Sequence, residues 1–141
     1  MAAEVLLDTG AILALLDKRD RWHRVCTRAY QQLRLPFLTS EAVLSELFHL
    51  LRRSRTENKT AWDMISSGTI IMAPIANEEL SAIRNLMAQY YDLPMDFADA
   101  TLVHLAARES ISAIFTIDQN DFAAYRINGK RRFHILPAER P

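Results

Sequence analysis

The sequence predicts an α/β fold: a three-layer α/β/α arrangement with a central, mainly parallel sheet flanked by helices. Three observations carry that prediction. Short apolar runs with strand character alternate along the chain with segments of helical periodicity. Half of the residues are hydrophobic, enough for a sizeable core. The length of 141 residues suits one domain spanning 1–141. Strands separated by helices run parallel and are covered on both faces.

The elements follow in order. Val5-Leu6-Leu7 reads as a buried strand that ends at the turn Asp8-Thr9-Gly10, and Ala11 to Leu16 as a first short helix. Trp22 to Leu33 is amphipathic, with Trp22, Val25, Cys26, Ala29, Tyr30 and Leu33 on one side. Leu35 to Leu38 is a second strand, and Thr39 or Ser40 caps a helix over Glu41 to Arg53. Ala61 to Ile65 supplies one or two further helical turns, and Thr69 to Met72 a strand closed by Pro74. Asn77 caps a helix over Glu78 to Tyr91. Phe97 to Glu109 is a strong helix and Ala113 to Ile117 a strand. Asn128-Gly129 forms a hairpin turn between Tyr125–Ile127 and Phe133–Leu136.

Composition narrows the class. Gly at 3 and Pro at 5 exclude collagen-like and low-complexity chains. Lys plus Arg and Asp plus Glu are both 17, so the net charge is zero. That balance disfavours a strongly electropositive nucleic-acid binder, but not one that carries positive charge as bound metal. The single cysteine, Cys26, forbids an internal disulfide and points to the cytosol. The apolar stretch Val5 to Leu16 is too short and too polar to span a bilayer, and Met1-Ala2-Ala3-Glu4 lacks a basic leader start, so the chain is expected to be mature, soluble and cytoplasmic, with no membrane partner.

The carboxylates carry the chemistry. Pro94-Met95-Asp96-Phe97-Ala98-Asp99 and Asp118-Gln119-Asn120-Asp121-Phe122 both contain Asp-x-x-Asp ahead of a helix. Each pair suits a helix start, where a cap and a first-turn acid meet free N–H groups. Each also suits a cation site. Asp8 is harder to explain as a cap, because a charge directly after Val5-Leu6-Leu7 sits at the core edge. Glu46 lies mid-helix among Val43, Leu47 and Leu50, so it needs a partner: a cation, or Arg53 at the edge of that face. In parallel sheets, ligands bind beyond the carboxyl ends of strands, where Asp8 and Asp118 fall. Crowded acids raise one another's pKa unless a cation sits between them. Oxygen-only ligands select hard ions such as Mg²⁺ or Mn²⁺, which activate water for phosphodiester cleavage.

On these residues the chain resembles the PIN-domain ribonucleases, most closely the VapC-like toxin type of bacteria and archaea, over nearly its whole length. Leu7-Asp8-Thr9 is similar to that family's opening strand and first acid. Ser45-Glu46-Leu47 is similar to its second acid, Ala98-Asp99-Ala100 to its third, and Thr116-Ile117-Asp118 with Asp121-Phe122 to its fourth. The resemblance implies a single PIN-like nuclease domain with Mg²⁺- or Mn²⁺-dependent endoribonuclease activity. It implies Asp8, Glu46, Asp99 and Asp118 as catalytic metal ligands, an RNA substrate, a small antitoxin partner and a homodimer. Asp96 and Asp121 then act as caps facing the site from behind the ligands, with Thr9 a hydroxyl partner for Asp8 and Thr116 for Asp118.

Other signals weigh less. Glu46-Leu47-Phe48-His49 has the spacing of di-iron bundles, but only one copy exists and the chain carries strands. His23 and Cys26 have no second pair for zinc, and His104 reads as structural. Arg52, Arg53, Arg55 and Lys59, and Lys130, Arg131 and Arg132, read as solvated clusters that a nuclease turns toward phosphate. Trp22 and Trp62 read as packing residues. The alternative function is a catalytically silent PIN-like module that binds RNA or protein, against which the intact acid set argues. A phosphoryl receiver lacks its late-strand lysine here, and a dehalogenase-type phosphatase lacks Asp-x-Asp on the first strand.

Overall fold

The computed structural model describes residues 2–141; Met1, the start of the segment expected to lack a leader, lies outside them. The first strand, β1 (Val5–Leu7), is buried at every position, as three consecutive apolar residues in a sheet covered on both faces require. It leads into α1 (Thr9–Leu16) and α2 (His23–Tyr30). Strand β2 (Phe37–Ser40) follows, then α3 (Glu41–Leu50), α4 (Arg55–Ser66) and β3 (Ile70–Ala73). A 3-10 turn, Asn77–Glu79, precedes α5 (Leu80–Gln89) and α6 (Phe97–Glu109). The chain closes with β4 (Ala113–Phe115), α7 (Gln119–Ala124), the short strands β5 (Arg126–Ile127) and β6 (Arg131–Arg132), and β7 (His134–Leu136).

The five-stranded sheet has the order β3-β2-β1-β4-β7, and every neighbouring pair is parallel. The chain first winds outward from β1 to β3, then crosses back to β4 and β7. Right-handed crossovers put the helices of the two halves on opposite faces. In the packing, α2, α3 and α4 lie against α1, and α5 and β5 against α6, with α3 also touching α6. The winding reverses between β1 and β4, and the crevice outside the carboxyl ends at such a reversal is where doubly wound sheets bind ligands.

Several boundaries differ from the sequence reading. Helix α4 runs from Arg55, capped by Ser54, rather than over 61–65 alone. Only Ala61 of its residues is buried, so its polar face hid it. Asn77 is not a cap: Glu79 reaches back to the backbone N–H of Ala76 (2.8 Å) instead, and the regular helix starts at Leu80. Asn128 and Gly129 do form the hairpin turn, both at positive φ (54° and 69°). Its second strand is Arg131–Arg132, however, while residues 134–136 join the main sheet beside β4. Among the described residues no helix is long and apolar enough to cross a membrane.

Candidate active site

The acids sit where strands end and helices begin. Asp8 follows β1 and caps α1, its Oδ1 accepting the Thr9 N–H at 2.9 Å. Its other oxygen accepts the Thr116 hydroxyl at 2.7 Å. That same hydroxyl oxygen accepts the Asp118 backbone N–H at 3.0 Å. Thr116 therefore ties the end of β1 to the end of β4, rather than serving the Asp118 carboxylate. Nor is the Thr9 hydroxyl a partner of Asp8: it points to the Val43 carbonyl at 3.4 Å. Gly10 permits this closeness, because a Cβ there would lie 2.5 Å from Cγ1 of Ile117.

Helix α6 brings the third acid. Asp96 caps it, accepting the Asp99 N–H at 2.8 Å, while Asp99 stands inside the first turn. The buried Tyr125 donates its hydroxyl to Oδ2 of Asp99 at 3.2 Å. Sequence reading missed Tyr125 by placing it in a strand. The available signal was a tyrosine in an apolar stretch, whose hydroxyl needs a partner when buried. Asp118 occupies the cap position of α7 without making a side-chain cap bond, and Asp121 lies within the first turn rather than capping it. Both carboxylates are thus left free of the helix-capping role.

Burial sorts the set into two tiers. Asp8 and Asp99 are 3% and 8% exposed. Glu46, Asp96 and Asp118 are exposed above them, with Asp121 half-buried. Glu46 is not pinned on an apolar face: it opens onto solvent, and among the described residues it forms no ion pair with Arg53. Burial pushes the Asp8 carboxyl up to about 7, the charges of Asp118 and Glu46 adding to the shift and the Thr116 hydrogen bond opposing it. Burial likewise pushes Asp99 up to about 7, with the charges of Asp96 and Asp8 adding. Asp118 is raised by the partial burial of its carboxyl and by the charges of Asp121, Asp96 and Glu46. Asp8 thus feels the charges of Asp118 and Glu46, and Asp99 that of Asp8, so acids from four separate elements are linked through Asp8.

Among the described residues none of these acids has a Lys, Arg or His within ion-pair distance. As the side chains stand, no three of them close into an ion-binding cluster, and the hydroxyls of Thr116 and Tyr125 hold one oxygen of Asp8 and one of Asp99. The donor set nevertheless fits a hard divalent cation, being all carboxylate, crowded and uncompensated. Two grooves flank it. One of about 840 Å³ includes Glu46, Asp96, Met72, Leu80 and Phe97 in its walls. The other, of about 380 Å³, includes Asp118, Asp121, Arg21 and Arg140.

A doubly wound parallel sheet with uncompensated carboxylates beyond its strand ends defines the class: an α/β domain with an acidic crevice at its switch point. Residues 5–128 match the model of the PIN domain family, and the chain belongs to that family. The fold is similar to that of VapC20 of Mycobacterium tuberculosis, described as a sarcin-ricin loop cleaving toxin. That match has a TM-score of 0.69 at 20% identity, covering 78% of this chain and 86% of that one. It is also similar to PAE2754 of Pyrobaculum aerophilum, with a TM-score of 0.54 at 19% identity, covering 87% of this chain and 86% of that one. A comparison with curated proteins by sequence finds no match.

Proposed function

We propose that this PIN domain is a divalent-metal-dependent endoribonuclease that hydrolyses RNA phosphodiester bonds, and that it is the toxin of a toxin–antitoxin pair. The observation that carries the reading is the uncompensated acid set: two buried carboxylates under an exposed rim of acids, all at the switch point of the sheet. A chain does not keep buried acids without cationic partners for stability, because each costs free energy when it ionises. The family and the likeness to VapC20 support the nuclease and toxin parts of the reading.

In this reading Asp8, Glu46, Asp99 and Asp118 would hold the ion, Mg²⁺ or Mn²⁺. When bound, such an ion supplies Lewis-acid activation of water and charge neutralisation at the phosphoryl oxygens. The chain's own contributions are positional. Thr116 fixes the Asp8 carboxylate while orienting the start of the loop that carries Asp118. Tyr125 fixes Asp99, and the Asp96 cap sets the first turn in which Asp99 stands. We further propose that residues 1–141 act as one nuclease unit in the cytoplasm, as a homodimer, and that a small antitoxin protein covers the acid crevice.

The test is cleavage of a single-stranded RNA by the purified protein, with EDTA and with added Mn²⁺. Calorimetric titration with Mn²⁺ alone supplies a second readout. Cleavage undiminished in EDTA would refute the metal requirement.

A further inference from the structure

We propose that the smaller groove beside Asp118 is a phosphate subsite, in which Arg21 and Arg140 hold the backbone of the RNA strand next to the acid cluster. The inference rests on the ribonuclease reading and names substrate contacts which that reading leaves open.

The two grooves flanking the acids differ in chemistry. The larger has apolar walls (Met72, Ile75, Leu80 and Phe97) and acids, and neither Lys nor Arg lines it. The smaller carries Arg21 and Arg140, with Trp22 and Asn120. At about 380 Å³ it lies within the roughly 300–1,000 Å³ of small-ligand clefts. It contains Asp118 itself, so a strand seated there lies directly beside the acids. A polyanion crossing this acidic edge gains from positive charge on the protein; the smaller groove offers two permanently charged arginines, the larger only His49.

These arginines are also unspent. Arg19, Arg28, Arg34 and Arg108 each pair with a carboxylate at 2.7–3.2 Å, while the other arginines, these two among them, form no ion pair among the described residues. Arg21 and Arg140 share a groove with Asp118 and Asp121, yet among the described residues neither pairs with them or with any other acid. Arg140 has one long contact, 3.5 Å to Oδ1 of Asn120, and among the described residues the Arg21 side chain forms no hydrogen bond. Their planar forks stay available for bidentate bonds to phosphate oxygens.

The backbone under both is anchored. Asp20 accepts the Trp22 N–H at 2.8 Å, and the Trp22 ring packs on the core. The segment carrying Arg140 is tied down by Arg28 to Glu139 at 2.8 Å and by the Gln119 side chain to the Pro137 carbonyl at 2.8 Å. The sequence points instead to the Arg52–Lys59 and Lys130–Arg132 clusters for phosphate contacts. Isolated arginines 119 positions apart in sequence give no such signal.

The experiment uses the full chain with Arg21→Ala, Arg140→Ala and the double variant. Cleavage of a single-stranded RNA oligonucleotide in Mn²⁺ gives KM and kcat over a series of salt concentrations. Binding of the same RNA is followed by fluorescence anisotropy in an Asp8→Asn background, where cleavage is suppressed. The double variant is expected to raise KM and Kd by about 10-fold or more, with kcat within about twofold and an unchanged melting temperature. Losing two phosphate contacts should flatten the slope of log K against log salt by about 1.4, at about 0.7 per contact on single strands. Arg→Lys at both positions should recover the slope but only part of the affinity, since charge returns without the fork. If an Ala variant misfolds, Gln replaces it. Unchanged Kd and slope in a protein whose wild type binds RNA overturn the subsite and leave the ribonuclease reading standing. A wild type that neither binds nor cleaves RNA at any salt overturns both. Arginine-dependent binding of a polyglutamate peptide without arginine-dependent binding of RNA overturns the proposal in favour of an acidic protein partner.

Discussion

Helix α6 carries two clusters of charge, one near each end, and they are built in opposite ways. Toward its carboxyl end His104 and Arg108 meet Glu79, at 2.7 and 2.8 Å. Glu79 also accepts the Ala76 N–H, so every charge there has a partner. The His104 hydrogen bond foremost, then the Ala76 N–H and Arg108, hold the Glu79 carboxyl down at about 2. At the amino end Asp99 feels the charges of Asp96 and Asp8, has no ion-pair partner among the described residues, and its carboxyl lies near 7. The same residue chemistry is stabilised at one end and destabilised at the other. The Glu79 end carries its counter-charge within the chain, whereas the Asp99 end carries none among the described residues.

The largest expected effect breaks the uncompensated end. Asp8→Asn, Glu46→Gln, Asp99→Asn and Asp118→Asn should each lower RNA cleavage in Mn²⁺ by more than about 100-fold, beyond the usual 10–100-fold of residues that only support a metal ligand. Glu79→Gln should leave cleavage unchanged. In EDTA, Asp8→Asn should melt at or above the wild-type temperature, because removing one of several crowded charges relieves repulsion. An unfolded Asp8→Asn protein would show that Asp8 serves the fold instead.

Next in size is the response to pH, where the two clusters have opposite signs. Folded Asp8 and Asp99 keep their protons to about pH 7, whereas the unfolded chain releases them near 3.8. The stability they contribute is complete below about pH 4 and is lost as pH rises through 7. Folded Glu79 stays ionised down to about pH 2, against 4.5 unfolded, so its contribution is present above 4.5 and lost as pH falls through 2. Melting curves of the metal-free protein should therefore fall from pH 4 to 7.5. Asp8→Asn should flatten that limb, and Glu79→Gln should flatten the acid limb and lower the melting temperature near neutrality. Mn²⁺ at about 100 times its Kd adds about 2.7 kcal/mol, or roughly 5–10 °C, and should act at pH 7.5 far more than at pH 5. An Mn²⁺ shift that is equal at both pH values would break the link between the raised carboxyls and the ion.

Legibility in the sequence followed the same division. Strand–helix alternation revealed the parallel sheet, because fully buried strands such as Val5–Leu7 are continuous apolar runs. Strand ends located Asp8 and Asp118, since position along a strand fixes which edge a residue occupies. The first half of α4 and the bond from the Ala76 N–H to Glu79 escaped the sequence for a shared reason: both rest on polar contacts that no hydrophobic period reports. The Glu79–His104–Arg108 cluster spans 25 and 29 residues of sequence, and side-chain pairing over such distances leaves no local pattern. The resemblance assigns Thr116 to Asp118, its near neighbour, but its hydroxyl crosses 108 positions to Asp8. That choice belongs to β1 and β4 being adjacent, and sheet order is not written in spacing.

A smaller effect sharpens the contrast inside the acidic end. Tyr125→Phe removes only the hydroxyl that Asp99 accepts, leaving the ring in the core. Asp99 then loses the bond that fixes its orientation, and Mn²⁺ affinity should fall about 10-fold, the low end for a supporting partner of a metal ligand. Calorimetric titration reads this directly, and unchanged affinity would show that Tyr125 merely packs.

The smallest effect separates the two acids of Asp96-x-x-Asp99, which look alike in sequence. Asp96 spends an oxygen on the Asp99 N–H at 2.8 Å, as a cap must, and its side chain is exposed. Asp99 is buried in the first turn, where the helix itself aims the carboxylate. Asn caps about as well as Asp, so Asp96→Asn should keep the melting temperature and most of the cleavage. Asp96→Ala removes the cap and should cost about 0.5–2 kcal/mol of stability. It should also loosen the turn that positions Asp99, so its loss of cleavage should exceed that of Asp96→Asn. The pair of variants therefore distinguishes geometry from charge: Asn keeps the cap and removes the charge, while Ala removes both. If Asp96→Asn is as inactive as Asp99→Asn at an unchanged melting temperature, the charge of Asp96 is what the site uses. Asp96 is then a ligand rather than a cap, and the boundary between the exposed rim and the buried acids must be redrawn to include it.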